Sequence, residues 1–492
     1  MSAYAALEVR FRRIGLIGDA LGILGWDRAT LMPDGAAGTR AEQVAALSVL
    51  SHELLTAPEI GDLLAAAEGE ALTDWQRANL REMRRDWHHA TAVPAELVEA
   101  LSKACAACEM TWRQARPAAD FALLLPRLAE VLHLVREVAA AKAAALGVAP
   151  YDALLDQYEP GGRAARIDVL FGELAAALPD LVERALAAAR PALPLPGPFP
   201  QAAQKALGER LMRAAGFDFT RGRLDVSLHP FCGGATGDVR ITTRYDEADF
   251  TRALMGVMHE TGHALYEMGL PEEWRWQPVG RARGMALHES QSLLVEMQAC
   301  RSAEFVHHVA PLVREAFAAE GPAFTADNLL RHYRKVERSF IRVDADEVTY
   351  PAHVILRYRL ERALIAGDLA LAELPGAWGE GFQALLGVRP PDDRLGCLQD
   401  IHWPDGAFGY FPTYTMGAMA AAQFFQAAVA ARPEIPAALA AGDFAPLRGW
   451  LADNVHRWAS FEDTDAVLAR ATGQPLAAAP FLAHLEARYA QP

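Results

Sequence analysis

Apolar residues recur at helical spacing along most of the chain. Alanine-rich segments with apolar positions three and four apart cover residues 42–68, 94–116, 122–147, 165–190, 250–268, 285–318, 350–366 and 414–431, and each predicts a helix. The pattern changes once. In RLDVSLHPFCGGATGDVRITTRY, residues 223–245, two strand-like runs flank a glycine-containing loop. Val239 and Ile241 alternate with Arg240, Thr242 and Arg244, which gives one apolar face and one basic, polar face. The expected class is mainly α with a small β-sheet, whose edge could hold an extended peptide. No internal repeat interrupts the pattern. The proline cluster PALPLPGPFP, residues 191–200, is the strongest break. It either separates an N-terminal helical lobe, about 1–200, from a second lobe, about 201–492, or forms a surface loop within one catalytic domain spanning 1–492.

Composition narrows the field. The 492 residues carry a formal net charge of -15, which argues against a sequence-independent grip on nucleic acid. The five cysteines, Cys105, Cys108, Cys232, Cys300 and Cys397, are an odd number in a long chain, so a disulfide framework is not expected. The N-terminal stretch lacks the order of a signal peptide, because Glu8 precedes the arginines and Asp19 interrupts the apolar run. The uncharged stretch from Gly406 to Ala431 is long enough for a membrane span. Pro412, Thr413, Gln423 and Gln426 point instead to a loop followed by a buried helix. A soluble cytoplasmic enzyme without membrane partners is expected.

The chemistry is concentrated in HETGH, residues 259–263. His259 and His263 stand four apart, so on a helix they share one face and can grip one zinc ion. Glu260 beside them is placed to take a proton from water. Gly269 suits the end of that helix. A metzincin needs glycine where Tyr266 stands, which excludes that class. The other common third ligand is a glutamate on a following helix. Glu289, in HESQS, lies 289 - 263 = 26 residues beyond His263, and polar neighbours flank it. Glu296 is its competitor.

Beyond the zinc motif, several segments occur together: WDRATLMPDGAAGTRAEQ (26–43), YDALLDQYEPG (151–161), HPF (229–231), DVRIT (238–242), HESQ (288–291), IRVDAD (341–346), GCLQDIHW (396–403) and FGYFPTY (408–414). With HETGH, and in this order, they resemble the carboxypeptidase Taq family of zinc metallocarboxypeptidases. The resemblance runs through nearly the whole chain. It implies a large helical zincin fold of neurolysin-like and angiotensin-converting-enzyme-like architecture, with a deep substrate groove and zinc at its floor. It also implies a homodimer that removes C-terminal residues from peptides with broad specificity, generally sparing proline. Some glutamate zincins orient a zinc histidine with an acidic residue four after the ligand glutamate. Here that place is Leu293, so the partners of the zinc histidines must come from elsewhere. Cys232, directly after HPF, is either an oxidation-sensitive thiol near the metal or merely buried.

The remaining roles follow the resemblance. A carboxypeptidase must recognise a terminal carboxylate, for which arginine offers a planar fork. Arg342 in IRVDAD is favoured for that contact, with Arg240 near it in the groove. The tetrahedral intermediate needs a donor opposite the zinc; Tyr414 is the first choice and Tyr410 the second. His229 and His402 are candidate groove histidines, although Asp400 could hold His402 in a packed pair. Asp346 could orient an arginine, and Tyr350 and His353 could line the cleft. One zinc ion per chain is expected, replaceable by another divalent metal such as cobalt. The alternative reading is an oligopeptidase or dipeptidyl carboxypeptidase using the same zinc core.

Overall fold

The computed structural model describes residues 1–491. It is mainly helical, with one three-stranded sheet. The HETGH helix, Phe250–Met268, forms over its predicted span. The Asp249 carboxylate opens it by accepting from the Thr251 backbone N–H at 2.9 Å, and Gly269 closes it. The helix Tyr350–Ala366 also matches its predicted span. The segment 42–68 divides into Ala37–Thr56 and Glu59–Ala67 at Pro58, which has no N–H to continue the ladder. The segment 285–318 divides more deeply. A short HESQ helix, Met285–Leu293, runs into a π-helix, Leu294–Cys300, and a new helix starts at Ala303. Helices also form beyond the predicted segments, among them Ala3–Thr30, Leu374–Leu386 and Ala478–Tyr489.

The sheet comprises β1 (Gly222–Val226), β2 (Cys232–Ala235) and β3 (Asp238–Thr243). Its order is β1-β3-β2, with β3 parallel to β1 and antiparallel to β2. The DVRIT strand is therefore the middle strand, and β1 and β2 form the edges. Val239 and Ile241 pack with Val257 and Ala264 of the HETGH helix. The expected polar face of β3 is buried at Thr242, whose hydroxyl accepts from Ser227 Oγ at 2.7 Å and from the Phe231 N–H at 3.1 Å. Those two bonds pin the HPF loop to the sheet.

The largest apolar cluster draws on both sides of the proline segment, with Leu128, Phe171 and Leu178 before it and Leu254, Leu294 and Phe382 after it. A smaller cluster joins Leu7, Phe11 and Ile14 to Ile60, Leu64 and Met83. Within the proline segment Phe199 packs edge-on to Phe250 and Phe317. The uncharged stretch ends in the helix Pro412–Ala431, which buries Met419, Ala421 and Phe424. Among the described residues no helix is long and apolar enough to cross a membrane.

Two close approaches position the site. A Cβ on Gly262 of the HETGH helix would lie 2.4 Å from the Gln291 carbonyl oxygen. A Cβ on Gly417 would lie 2.8 Å from Glu289 Cβ. Glycine at both places lets the HETGH helix and the helix Pro412–Ala431 close on the HESQ helix from two sides.

Candidate metal centre and substrate cavity

That close packing brings three metal-binding atoms together. Glu289 Oε2 lies 3.4 Å from His263 Nε2 and 3.9 Å from His259 Nε2. Among the described residues these three form the one cluster of metal-binding side chains, all their ligand atoms lying within 4.8 Å of one another. Tetrahedral bonds of ~2.1 Å set ligand atoms about 3.4 Å apart, so the spacing fits one such ion. Two nitrogens and one carboxylate leave a fourth position open, as a catalytic site requires.

Both histidines are held from behind. The Nδ1–H of His259 donates to Glu296 Oε2 at 2.9 Å, and Glu296 Oε1 accepts from Arg301 Nη2 at 2.5 Å. His263 Nδ1 lies 2.6 Å from His288 Nδ1, and His288 Nε2 lies 2.8 Å from Glu267 Oε1. Glu267 can only accept, so the consistent assignment has His288 donating through Nε2 and accepting at Nδ1 from His263. Each HETGH histidine then turns its Nε2 toward the cluster.

Charge is matched to a cation. Burial would lower His259, but Glu289, Glu296 and Glu260 outweigh it and push it up to about 10. His263 is brought down to about 4, first by burial and then by His288. Burial would raise Glu289, yet His259 and His263 hold it at about 2. Glu260 is pushed up to about 7 by burial, opposed by His259, and a dication beside it would draw it down again.

His259, Glu260 and Glu289 line a cavity of about 460 Å³ that also exposes Arg342 and Tyr350. Arg342 is buried, and its Nε and Nη2 donate to Asp400 Oδ1 at 3.0 and 2.9 Å. Its Nη1 donates to Tyr350 Oη at 2.8 Å. Five N–H groups less these three leave one on Nη1 and one on Nη2 uncommitted, a pair suited to a carboxylate. Asp400 Oδ2 accepts from Arg357 Nε at 2.7 Å, and Arg357 Nη2 is ion-paired with it at 2.6 Å.

The other expected residues divide. Tyr414 lies under Arg342, ring centroid 5.0 Å from Cζ, and Tyr410 meets it edge-on at 5.2 Å. Burial holds the Tyr414 phenol above its ordinary value, so it stays a neutral donor. Tyr414 Oη lies 3.4 Å from His402 Nε2, while the expected partner of His402, Asp400, is committed to the two arginines. Neither tyrosine nor His402 lines the cavity. His229 is exposed on its loop. Arg240 is paired with Asp238 at 2.9 and 2.6 Å and stacked on Trp26. Asp346 does line the cavity, but its carboxylate accepts from the backbone of Glu337, Val348 and Thr349; the arginine is oriented by Asp400 instead. His353 is fully buried against Phe382 rather than on the cleft. The half-buried Cys232 thiol is raised by desolvation and by Glu267 and Glu260, which favours its protonated form.

Sequence reasoning missed the groups that hold the two histidines: His288, Glu267, Arg301 and Glu296, which accepts from His259 Nδ1. One signal was available. Glu296 lies seven residues after Glu289, two helical turns on, where a side chain returns to the same face.

The model of the carboxypeptidase Taq (M32) metallopeptidase family matches residues 6–489. Thermostable carboxypeptidase 1 of Thermus thermophilus is 41% identical, over 99% of this chain and 98% of that protein. The structure of Trypanosoma cruzi metallocarboxypeptidase 1 superposes with a TM-score of 0.97 at 40% identity, covering 99% of both chains. An M32 carboxypeptidase from Deinococcus radiodurans R1 gives 0.95 at 38% identity, covering 99% of this chain and 98% of that one.

Proposed function

The chain belongs to the carboxypeptidase Taq (M32) family of metallopeptidases and is a metallocarboxypeptidase, and on that footing we propose a zinc enzyme that releases C-terminal residues from peptides with broad specificity. One zinc ion per chain is held by His259, His263 and Glu289, and cobalt can replace it. When bound, the ion supplies Lewis acidity, which lowers the pKa of water at the site and polarises the scissile carbonyl. Glu260 accepts the water's proton and returns it to the leaving amine. Arg342 receives the terminal carboxylate on its free N–H pair, which makes the cleavage exo rather than endo. Tyr414, with Tyr410 behind it, donates to the developing oxyanion. His402 tunes Tyr414 through the contact between them. His229 and Arg240 meet the substrate farther along the groove. The whole chain acts as one catalytic domain of two lobes, and works as a cytoplasmic homodimer.

The observation that supports this reading best is the shared cavity. The same 460 Å³ space is lined by His259 and Glu289 of the three-residue cluster, by Glu260 and by a buried arginine with two N–H groups to spare.

Kinetics on a matched peptide acid and its C-terminal amide test it. The charge-assisted contact of Arg342 is worth about 1.5–3 kcal/mol, so amidation should lower kcat/KM roughly tenfold to hundredfold. Arg342→Ala should cost as much on the acid and nearly erase the acid–amide difference, since both changes delete one interaction. Arg342→Lys should restore only part of it. An Arg342→Ala enzyme that kept the full preference for the acid would move the carboxylate contact to Arg240. Equal, internal cleavage of both peptides by the wild type would replace the reading with the oligopeptidase one.

A further inference from the structure

The π-helix Leu294–Cys300 delivers Glu296 to His259, and its end needs help to hold its shape. The Arg301 N–H bonds back to the Glu296 carbonyl at 3.1 Å, a five-residue step. The Ser302 N–H then turns to the Ala299 carbonyl at 3.2 Å. These two N–H groups are the ones a helix would have sent to the carbonyls of Met297 and Gln298. A helix end leaves such carbonyls without main-chain donors, and something else must satisfy them. Here it is Arg488, on the C-terminal helix Ala478–Tyr489, 191 residues away in sequence. Its Nη1 donates to Met297 O, and its Nη2 donates to Gln298 O at 3.2 Å.

Arg488 is itself fixed. Glu347, 6% exposed, accepts from Tyr489 Oη at 2.8 Å and faces Arg488 Nη1 at 3.4 Å. Its other oxygen lies 2.8 Å from His484 Nε2 and 3.4 Å from Gln298 Nε2. The C-terminal helix thus grips the π-turn by its carbonyls, and Glu347, which that helix holds through His484 and Tyr489, takes the Gln298 side chain. A π-turn carries an extra residue relative to an α-turn. Losing it would swing the flanking residues by about 100° around the helix axis. Glu296 would leave His259, and Arg301 would leave Glu296.

We propose that Arg488 is a positioning residue of the metal centre: by closing the carbonyl end of the π-turn, it fixes the register at which Glu296 meets His259. This rests on the reading of His259 as a zinc ligand. The C-terminal helix then belongs to the metal site, although it supplies no ligand.

The test uses the full chain and three readouts: zinc Kd by chelator competition, the visible spectrum of the cobalt-loaded protein, and the Tm of the metal-free protein. Arg488→Met should weaken zinc about 10–100-fold, as loss of a ligand's supporting partner does. It should also change the cobalt spectrum. Glu296→Gln should do the same, and the double variant should bind zinc within about twofold of the weaker single one, because both changes break one linkage. A lowered Tm with wild-type zinc affinity and cobalt spectrum would reduce Arg488 to a structural clamp and overturn the proposal, as would losses that multiply in the double variant. If Arg488→Met yields no folded protein, Arg488→Lys, which keeps one donor, should give a smaller loss of zinc affinity; affinity equal to the wild type would overturn the proposal equally. A wild-type chain that binds no zinc would sink the metal reading itself, a different outcome from any of these.

Discussion

Glu289 and Glu296 are chemically alike, seven residues apart, and differ in what they face. Glu289 points its oxygen at two Nε2 atoms, while Glu296 spends one oxygen on His259 Nδ1 and the other on Arg301. Their amide variants should therefore fail differently. Glu296→Gln should weaken zinc about 10–100-fold and destabilise the fold by about 3–5 kcal/mol, because Arg301 loses its buried partner. Glu289→Gln should weaken zinc more than that, and should not share the arginine penalty. Zinc titration and urea unfolding of the two variants separate these effects, and the reverse order of zinc loss would make Glu296 the ligand. Glu260→Gln should keep zinc and stability but lower kcat about 10² to 10⁴-fold, the usual worth of general-base catalysis. Near-normal turnover would assign the proton to another group. That His259 and His263 face one point was legible in the sequence, because i,i+4 spacing fixes a shared helical face before any tertiary contact forms. The partners of those histidines were not, because His288 and Arg301 acquire their contacts only when two helices meet.

The elements that met expectation are those whose pattern is set locally. The HETGH helix and the helix Tyr350–Ala366 keep their predicted spans: Asp249 caps the start of the first, and Pro351 in the first turn and the left-handed Gly367 bound the second. The segment 285–318 did not, since apolar residues three and four apart read the same whether the chain winds as α-helix or widens into a π-turn. The widening is decided by tertiary bonds, chiefly those of Arg488 to the turn's carbonyls. Two strands were legible, β1 and β3; β2 forms in the glycine-containing stretch read as a loop, and the order was not legible, because pairing β3 between β1 and β2 depends on a crossover that local alternation does not encode. Helix approach carries the element-scale prediction. Gly262→Ala should raise intrinsic helix propensity by about 1 kcal/mol and still destabilise the protein by about 1–3 kcal/mol, because the new methyl meets the Gln291 carbonyl oxygen. The same displacement should move Glu289 away from the histidines, so zinc affinity should fall with stability. Gly256→Ala on the same helix, where nothing lies within 4 Å of the added Cβ, is the control and should stabilise slightly. A Gly262→Ala protein as stable as the control, with unchanged zinc affinity, would mean that the two helices need no glycine to meet.

At the scale of the whole molecule, buried carboxylates pull stability in opposite directions with pH. Asp156, Glu347 and Asp400 are each held below the usual carboxylate range. Burial would raise them, but His89 and Arg85, His484 and Arg488, and Arg357 and Arg342 respectively overcome it. A carboxylate with a lowered folded pKa contributes stability that is complete above its unfolded value, about 4, and is lost as pH falls through that value toward the folded one. These three tie together distant parts of the chain, so acid should unfold it in one cooperative step below about pH 5. Glu361 works the other way. It is fully buried, accepts from Tyr151 Oη at 2.8 Å, Trp403 Nε1 at 2.9 Å and the Gly409 N–H at 3.1 Å, and burial still pushes it up to about 7. Between about pH 4.5 and 7 the unfolded chain has released this proton while the folded chain retains it. The Glu361 contribution must then fall as pH rises, by an amount on the order of 3 kcal/mol across the window. His402 and His456, brought down by burial to about 4 and about 3, work against it below about pH 6.5, because there the unfolded chain binds protons that the folded chain does not. Glu361→Gln separates them. The amide cannot accept all three donors, so the variant should be less stable throughout, by about 1–3 kcal/mol. Between pH 5 and 7 its Tm should nevertheless rise relative to the wild type, while the acid collapse, which belongs to other residues, is kept. A variant whose Tm followed the wild-type pH dependence over that window would put the responsible proton elsewhere.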